Sequence, residues 1–178
     1  MEVRRATTED TERIAEIRVQ SWQQGYRGLI AQDYLDSMDP ADGFQARADR
    51  LRHANWQSGG CFVVADEGGH LTGFAECGAT RDADAFDSLT GEVMAIYLVP
   101  QSWGKGQGRA LMAAALLHLT ECGYDQVTLW VLQIDDRARR FYAAAGFTPD
   151  GATKTDASRG FPLIEIRYRR KLLPRRAD

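Results

Sequence analysis

Between Gly104 and Gly108 three glycines fall in five positions, within the stretch WGKGQGR at residues 103 to 109. Upstream, Glu92 to Val99 is nearly continuous in apolar residues, the pattern of a strand buried on both faces, and Pro100 closes it. Downstream, an apolar helical run begins at Ala110. Strand, glycine turn and helix start together aim main-chain N–H groups and the positive end of a helix dipole at one place, where a phosphate can be held without a basic side chain. Glycine also has a purely conformational use, so the same cluster reads equally as a turn ahead of a helix. Two nucleotide signatures fail on register. A P-loop needs Ser or Thr after Gly-Lys, and Gly106 follows Lys105. A dinucleotide fingerprint needs glycine where Arg109 stands or, started two residues later, Gly or Ala where Leu111 stands.

Other chemistries find little support. His53, His70 and His118 are scattered without ligand spacing, so no metal site is expected, and no GxSxG elbow marks a hydrolase. Cys61, Cys77 and Cys122 lack CxxC spacing and lie in apolar stretches, as small core residues of a reducing compartment do; none looks placed to carry an acyl group. A net charge of −3 argues against nucleic-acid binding through a basic face. The basic residues near the end, Arg167, Arg169, Arg170, Lys171, Arg175 and Arg176, read as a solvated strand edge. The run Ala110 to Leu119 is too short to span a bilayer, so no membrane partner and a cytoplasmic location are expected.

The elements that must position the glycine turn follow from periodicity. A chain of 178 residues without long linkers or internal repeats reads as one domain, residues 1–178. Residues 2 to 6 form a short strand, Thr8 precedes a helix carrying Ile14, Ile17 and Val19, and residues 31 to 38 and 41 to 54 are helical. Cys61 to Ala65 and Leu71 to Ala79 flank a DEGGH turn as a hairpin. The helix after the glycines presents Leu111, Ala115, Leu119 and Cys122 on one face and stops at Gly123. Val127 to Leu132 is a strand, Asp135 opens a helix that ends at Gly146, and segments 147 to 155 and 162 to 170 complete a mixed α/β or α+β unit.

The run VPQSWGKGQGRALM, followed by LWVLQIDDRARRFYAAAGF, resembles the two signature segments of the GNAT superfamily of acetyl-CoA-dependent N-acetyltransferases, and the likeness extends over about residues 1 to 170. The resemblance implies a central, mostly antiparallel twisted sheet of about seven strands, splayed at a cofactor cleft and flanked by helices. It implies that the backbone of Gly104, Lys105, Gly106, Gln107, Gly108 and Arg109 binds the pyrophosphate of coenzyme A. The backbone of Ile96, Tyr97 and Leu98 would pair with the pantetheine arm. Two positions depart from the pattern: Trp103 stands where the family has Gln or Arg, and Asp135 where it has Asn. Asp135 can cap its helix as Asn does, or contact the cofactor. Trp103 can pack beside the cofactor or on the surface.

An alkylamine with a pKa near 10.4 is neutral in about one molecule in a thousand at pH 7, a handicap of roughly 4–5 kcal/mol for a free-amine nucleophile. A base is therefore useful. Glu92, at the start of the buried strand, resembles in its spacing the catalytic glutamate of the histone-acetylating branch; Glu76, on the preceding strand, could face the same cleft. Tyr142, two helical turns beyond Asp135, matches the tyrosine that the family places near the sulfur, where a phenol can protonate the departing thiolate. The acceptor side is less defined. Asp82, Asp84, Asp87 and Glu92, with Asp33, Asp36, Asp39 and Asp42, would favour a cationic amine if they line the mouth, or form a solvated acidic loop. By resemblance Trp22, Tyr26 and Tyr34 select the acceptor; they can equally be core. The expectation is direct acetyl transfer to a primary amine of a small molecule or peptide in a ternary complex. The rival is a non-catalytic acyl-CoA-binding or regulatory domain. Exposed tryptophans and a C-terminal strand edge would permit a homodimer.

Overall fold

The computed structural model describes residues 1–85 and 89–172. Among these, seven strands form one sheet: β1 (Glu2–Arg5), β2 (Gly60–Ala65), β3 (Leu71–Ala79), β4 (Thr90–Leu98), β5 (Gln126–Leu132), β6 (Thr148–Asp156) and β7 (Leu163–Lys171). Their order is β1-β2-β3-β4-β5-β7-β6, antiparallel everywhere except between β4 and β5. The helices are α1 (Thr11–Gly25), α2 (Gln32–Asp36), α3 (Phe44–Arg52), α4 (Gln107–Glu121) and α5 (Asp136–Ala144). A parallel neighbour demands a crossover, and the glycine turn with α4 supplies it.

Alternation along the strands decides the layers. Phe62, Val64, Ala75 and Cys77 face α4, whose Leu111, Met112, Ala115 and Leu119 complete the larger core. The intervening Cys61, Val63 and Phe74 face the other way, onto Ile14 and Ile17 of α1. A third cluster joins Trp22 and Leu35 of the α1–α2 region to Leu132 and Leu163 at the ends of β5 and β7.

β4 and β5 pair only over Thr90–Glu92 and Gln126–Thr128, then separate. Opposite Cys77 and Glu76 stand Val93 and Ala95, so Met94 is an extra residue in β4, a bulge that re-aims the strand as it leaves its neighbour. Burial follows: Thr90 to Val93 are buried, whereas Met94 to Leu98 are half-exposed along the side that lost β5. The strand expected to be buried on both faces is so only in its first half.

Four expectations are corrected. The segments 31–38 and 41–54 contain shorter helices, because Pro40 and Gly43, the latter at φ 69°, interrupt the chain between them. Cys122 is the C-cap of α4 rather than part of its apolar face, and Gly123 follows at φ 87°. None of the four tryptophans is exposed, and the sheet edge near the C-terminus is β6, since β7 lies inside. Arg167 is not solvated. It is buried, with its guanidinium shared among Asp82, Asp84 and Asp150 at 2.7–3.1 Å. Arg169 also reaches Asp150, and Arg170 donates to the Ala145 carbonyl. Arg175, Arg176 and Asp87 lie outside the described residues.

Among the described residues no helix is long and apolar enough to cross a membrane, and no group of three or more metal-binding side chains occurs.

Candidate active site

Where β4 and β5 part, a cleft of about 570 Å³ opens between them. One end of it is main chain. Gly104 and Gly106 adopt φ 75° and 83°, a region that glycine enters without steric cost, and Gly106 is the N-cap of α4. Ala110 makes the first helical bond, to Gly106 at 3.0 Å. Among the described residues the N–H groups of Gly104 to Arg109 have no protein acceptor, as the first turn of a helix leaves them. Gly104, Gly106, Gly108 and Arg109 line the cleft. Lys105 is exposed, and the Gln107 side chain is buried against Thr72, whose hydroxyl donates to it at 2.9 Å; neither side chain lines the cleft. A Cβ at Gly108 would stand 3.3 Å from Leu98 and 3.4 Å from Phe141, so glycine lets the first turn of α4 approach α5 closely.

Ile96, Tyr97 and Leu98 pair with Ala75, Phe74 and Gly73 of β3, leaving their other edge turned to the gap. The Trp103 indole N–H donates to the Leu98 carbonyl at 2.9 Å, and Arg137 stacks on the ring with its Cζ 3.6 Å from the centroid. Trp103 thus packs at the cleft rather than on the surface. Asp135 is buried and caps α5, its Oδ1 accepting from the Ala138 amide at 2.9 Å, while it also lines the cleft.

Glu92 and Tyr142 both line the cleft. Glu92, the last β4 residue paired with β5, is 1% exposed and accepts three hydrogen bonds from Arg81: from its amide at 3.0 Å and from its guanidinium Nε and Nη2. Burial raises the pKa of Tyr142 well above that of an ordinary phenol; Tyr97 and Asp135 add to the shift and Arg137 opposes it. Tyr26 is raised likewise, first by burial and then by Tyr97 and Tyr142. Away from the cleft, burial pushes the Cys61 thiol well up and the Cys77 thiol to about 12, so neither is poised as a thiolate.

The far end is built of side chains. Trp22 and Tyr26 meet edge to face at 4.8 Å and line the cleft; Tyr34 stands behind them, packed on Phe161. Opposite, Lys154 pairs with Glu165 at 3.3 Å and lies over Trp130, and Arg159 pairs with Asp156 and lies 5.0 Å from Trp22. The acidic mouth is not what lines it. Asp82 and Asp84 are engaged by Arg167, and Asp33, Asp36, Asp39 and Asp42 are exposed away from the cleft, which carries balanced ion pairs instead. Glu76 does not line it either. It lies opposite Ala95, one strand further away, under the influence of Arg47 of α3. Arg81, Lys154, Asp156, Arg159 and Glu165 were not singled out from the sequence. The alternating charges of β6 and β7 mark a polar strand face, yet nothing local says what that face borders.

A family model described as the Acetyltransferase (GNAT) family matches residues 14–147. An uncharacterized N-acetyltransferase, YuaI of Bacillus subtilis (strain 168), is 34% identical over 131 residues, which is 74% of this chain and 71% of that protein. A mycothiol acetyltransferase of Thermobispora bispora is 31% identical over 126 residues; the match takes in 71% of this chain and 43% of that longer protein, less than half its length. In fold, the chain resembles a phosphinothricin acetyltransferase (Pat) from Sinorhizobium meliloti solved in complex with AcCoA, at a TM-score of 0.76 and 24% identity over 99% of this chain and 91% of the other. These likenesses support an enzyme and do not favour the non-catalytic module.

Proposed function

The chain belongs to the GNAT acetyltransferase family, and on that premise we propose that it moves an acetyl group from acetyl-CoA to a primary amine by direct attack in a ternary complex. The reading is carried by one observation: the β4 edge released from β5 by the splay, with its Leu98 carbonyl taken by the Trp103 indole, leads through a short turn at Pro100–Ser102 to the six unpartnered amides of Gly104 to Arg109. A pantetheine arm has amides that can complete a strand edge, and a diphosphate has the charge that a helix start attracts. The residues present therefore fit the cofactor: the backbone of Ile96 to Leu98 would hold the arm, and the backbone from Gly104 to Arg109 the diphosphate. When bound, acetyl-CoA supplies an acetyl group activated as a thioester.

Glu92 is the proposed base. Its buried carboxylate opens on the cleft where the two strands part, and Arg81, whose side chain is 63% exposed, is free to yield to an incoming ammonium. Tyr142 holds the opposite proton. With its pKa raised by burial, the hydroxyl keeps its hydrogen throughout the working range, so it acts chiefly by donating a hydrogen bond to the departing sulfur. Trp22, Tyr26 and the paired charges around Arg159 border the acceptor, a small-molecule or peptide amine.

The test is thiol release from acetyl-CoA against a panel of polyamines, aminoglycosides, amino acids and short peptides. At least one amine should be acetylated, and with it Tyr142→Phe and Glu92→Gln should each lower kcat at least tenfold. Uniform silence across the panel, with acetyl-CoA still bound, would reject transfer to an amine. Unchanged rates in both variants would reject the assigned roles.

A further inference from the structure

We propose that Arg137 is the side-chain cation this chain brings to the diphosphate of its cofactor, with the ring of Trp103 as its platform; the inference rests on the acetyl-CoA reading above. Arg137 belongs to the first turn of α5, on the β5 side of the cleft, and Trp103 immediately precedes the glycine loop on the β4 side. The stack between them therefore spans the cleft. Trp103 is fixed by its bond to the Leu98 carbonyl, and the guanidinium also lies against the end of α1, where a Cβ at Gly25 would come within 2.9 Å of Nη2.

The charges around it are otherwise assigned. Glu92, Asp156 and Glu165, the carboxylates of the acceptor end, are paired with Arg81, Arg159 and Lys154. Beside Arg137, Asp135 caps Ala138 and Asp136 pairs with Arg139. Among the described residues Arg137 has no carboxylate within ion-pair distance, and of the cleft-lining cations it shares this only with Arg109, in the first turn of α4. A guanidinium without a carboxylate partner, lining the same cleft as the unpartnered amides and stacked on the residue that precedes them, is suited to a polyanion. Stacking occupies the face of the guanidinium and leaves its planar fork of N–H donors free, so Arg137 can rest on Trp103 and still grip phosphate oxygens in two-pronged fashion. This gives Trp103 a role where the family pattern has a polar residue: it orients a cation delivered from the opposite wall.

Calorimetry with coenzyme A and with acetylpantetheine, which has the thioester arm but no diphosphate, separates the possibilities. Arg137→Gln should weaken coenzyme A binding about ten- to a hundredfold, the range of one charge-assisted hydrogen bond, and leave acetylpantetheine unaltered. Arg137→Lys should recover part of the loss. Trp103→Leu, which keeps the cation and removes its platform, should cost about two- to fivefold for coenzyme A. The salt dependence of coenzyme A affinity should be shallower in Arg137→Gln. Equal weakening of both ligands, or coenzyme A affinity unmoved by Arg137→Gln, would overturn the assignment. No binding of coenzyme A to the unaltered protein would instead overturn the acetyl-CoA reading itself.

Discussion

At one end of the cleft, recognition is entrusted to consecutive amides from Gly104 to Arg109 and to a strand edge without a neighbouring strand; at the other, it is assembled from Arg81 and from side chains of α1, β5, β6 and β7. Main-chain donors point where the local fold points them, whatever the side chains are. Replacement of a polar residue by Trp103 is compatible with that end, because the amides beyond it are unaffected. The acceptor end has no such insurance. Two of its ion pairs, Arg81 with Glu92 and Lys154 with Glu165, join separate segments of the chain, and behind it Arg167 ties β7 to Asp82 and Asp84, so its shape depends on several elements arriving together. Such a surface is easily altered by substitution at many positions, and the glycine end only where positive φ demands glycine, at Gly104 and Gly106.

The two ends should therefore fail separately. The largest effect is expected from Arg167→Leu, which takes the shared buried guanidinium from Asp82, Asp84 and Asp150 and leaves Asp82 with the Trp130 indole and Asp150 with Arg169: a loss of about 3 kcal/mol in stability, seen as a lower Tm, with the acceptor end distorted before the glycine end. Next, Gly106→Ala forces a side chain into positive φ at a cost of about 1–2 kcal/mol, and should raise KM for acetyl-CoA about tenfold while leaving KM for the amine in place. Its counterpart, Arg159→Gln, should raise KM for the amine about three- to fivefold and leave acetyl-CoA alone; crossed effects in these two variants would dissolve the distinction between the ends. The smallest change is expected in the pH profile. An ordinary phenol begins to ionise about one unit below its pKa of about 10, whereas the raised pKa of Tyr142 keeps its hydrogen in place, so kcat at saturating amine should show no falling limb from about pH 8 to about pH 10. A fall across that interval, absent in Tyr142→Phe, would return Tyr142 to an ordinary environment.

Legibility followed the same division. The strand, glycine turn and α4 could be read because each is a local pattern, as could the hairpin of β2 and β3 and the cap of α5 by Asp135. Glu92 and Tyr142 could be named as candidates from their resemblance to the family pattern, and they do share one cleft. Glu76 could be named as well, and strand register took it elsewhere. The acidic residues of the 81–92 segment illustrate the limit: as a run of charges they suggest a negative mouth, but Arg167, far along the chain, engages two of them.

The sequence by itself determined what depends on neighbours a few residues apart: periods of 2 and 3.6, glycines that permit positive φ, a helix start with unsatisfied amides, and the two segments that mark the family. Tertiary structure decided what depends on pairing across long stretches of chain. The bulge at Met94 and the parting of β4 from β5 open the cleft, the partners of each buried charge set its polarity, and Arg137 reaches Trp103 only because two walls face each other. Coulomb and packing energies depend on distance in space, and for these residues that distance is set by the folded chain.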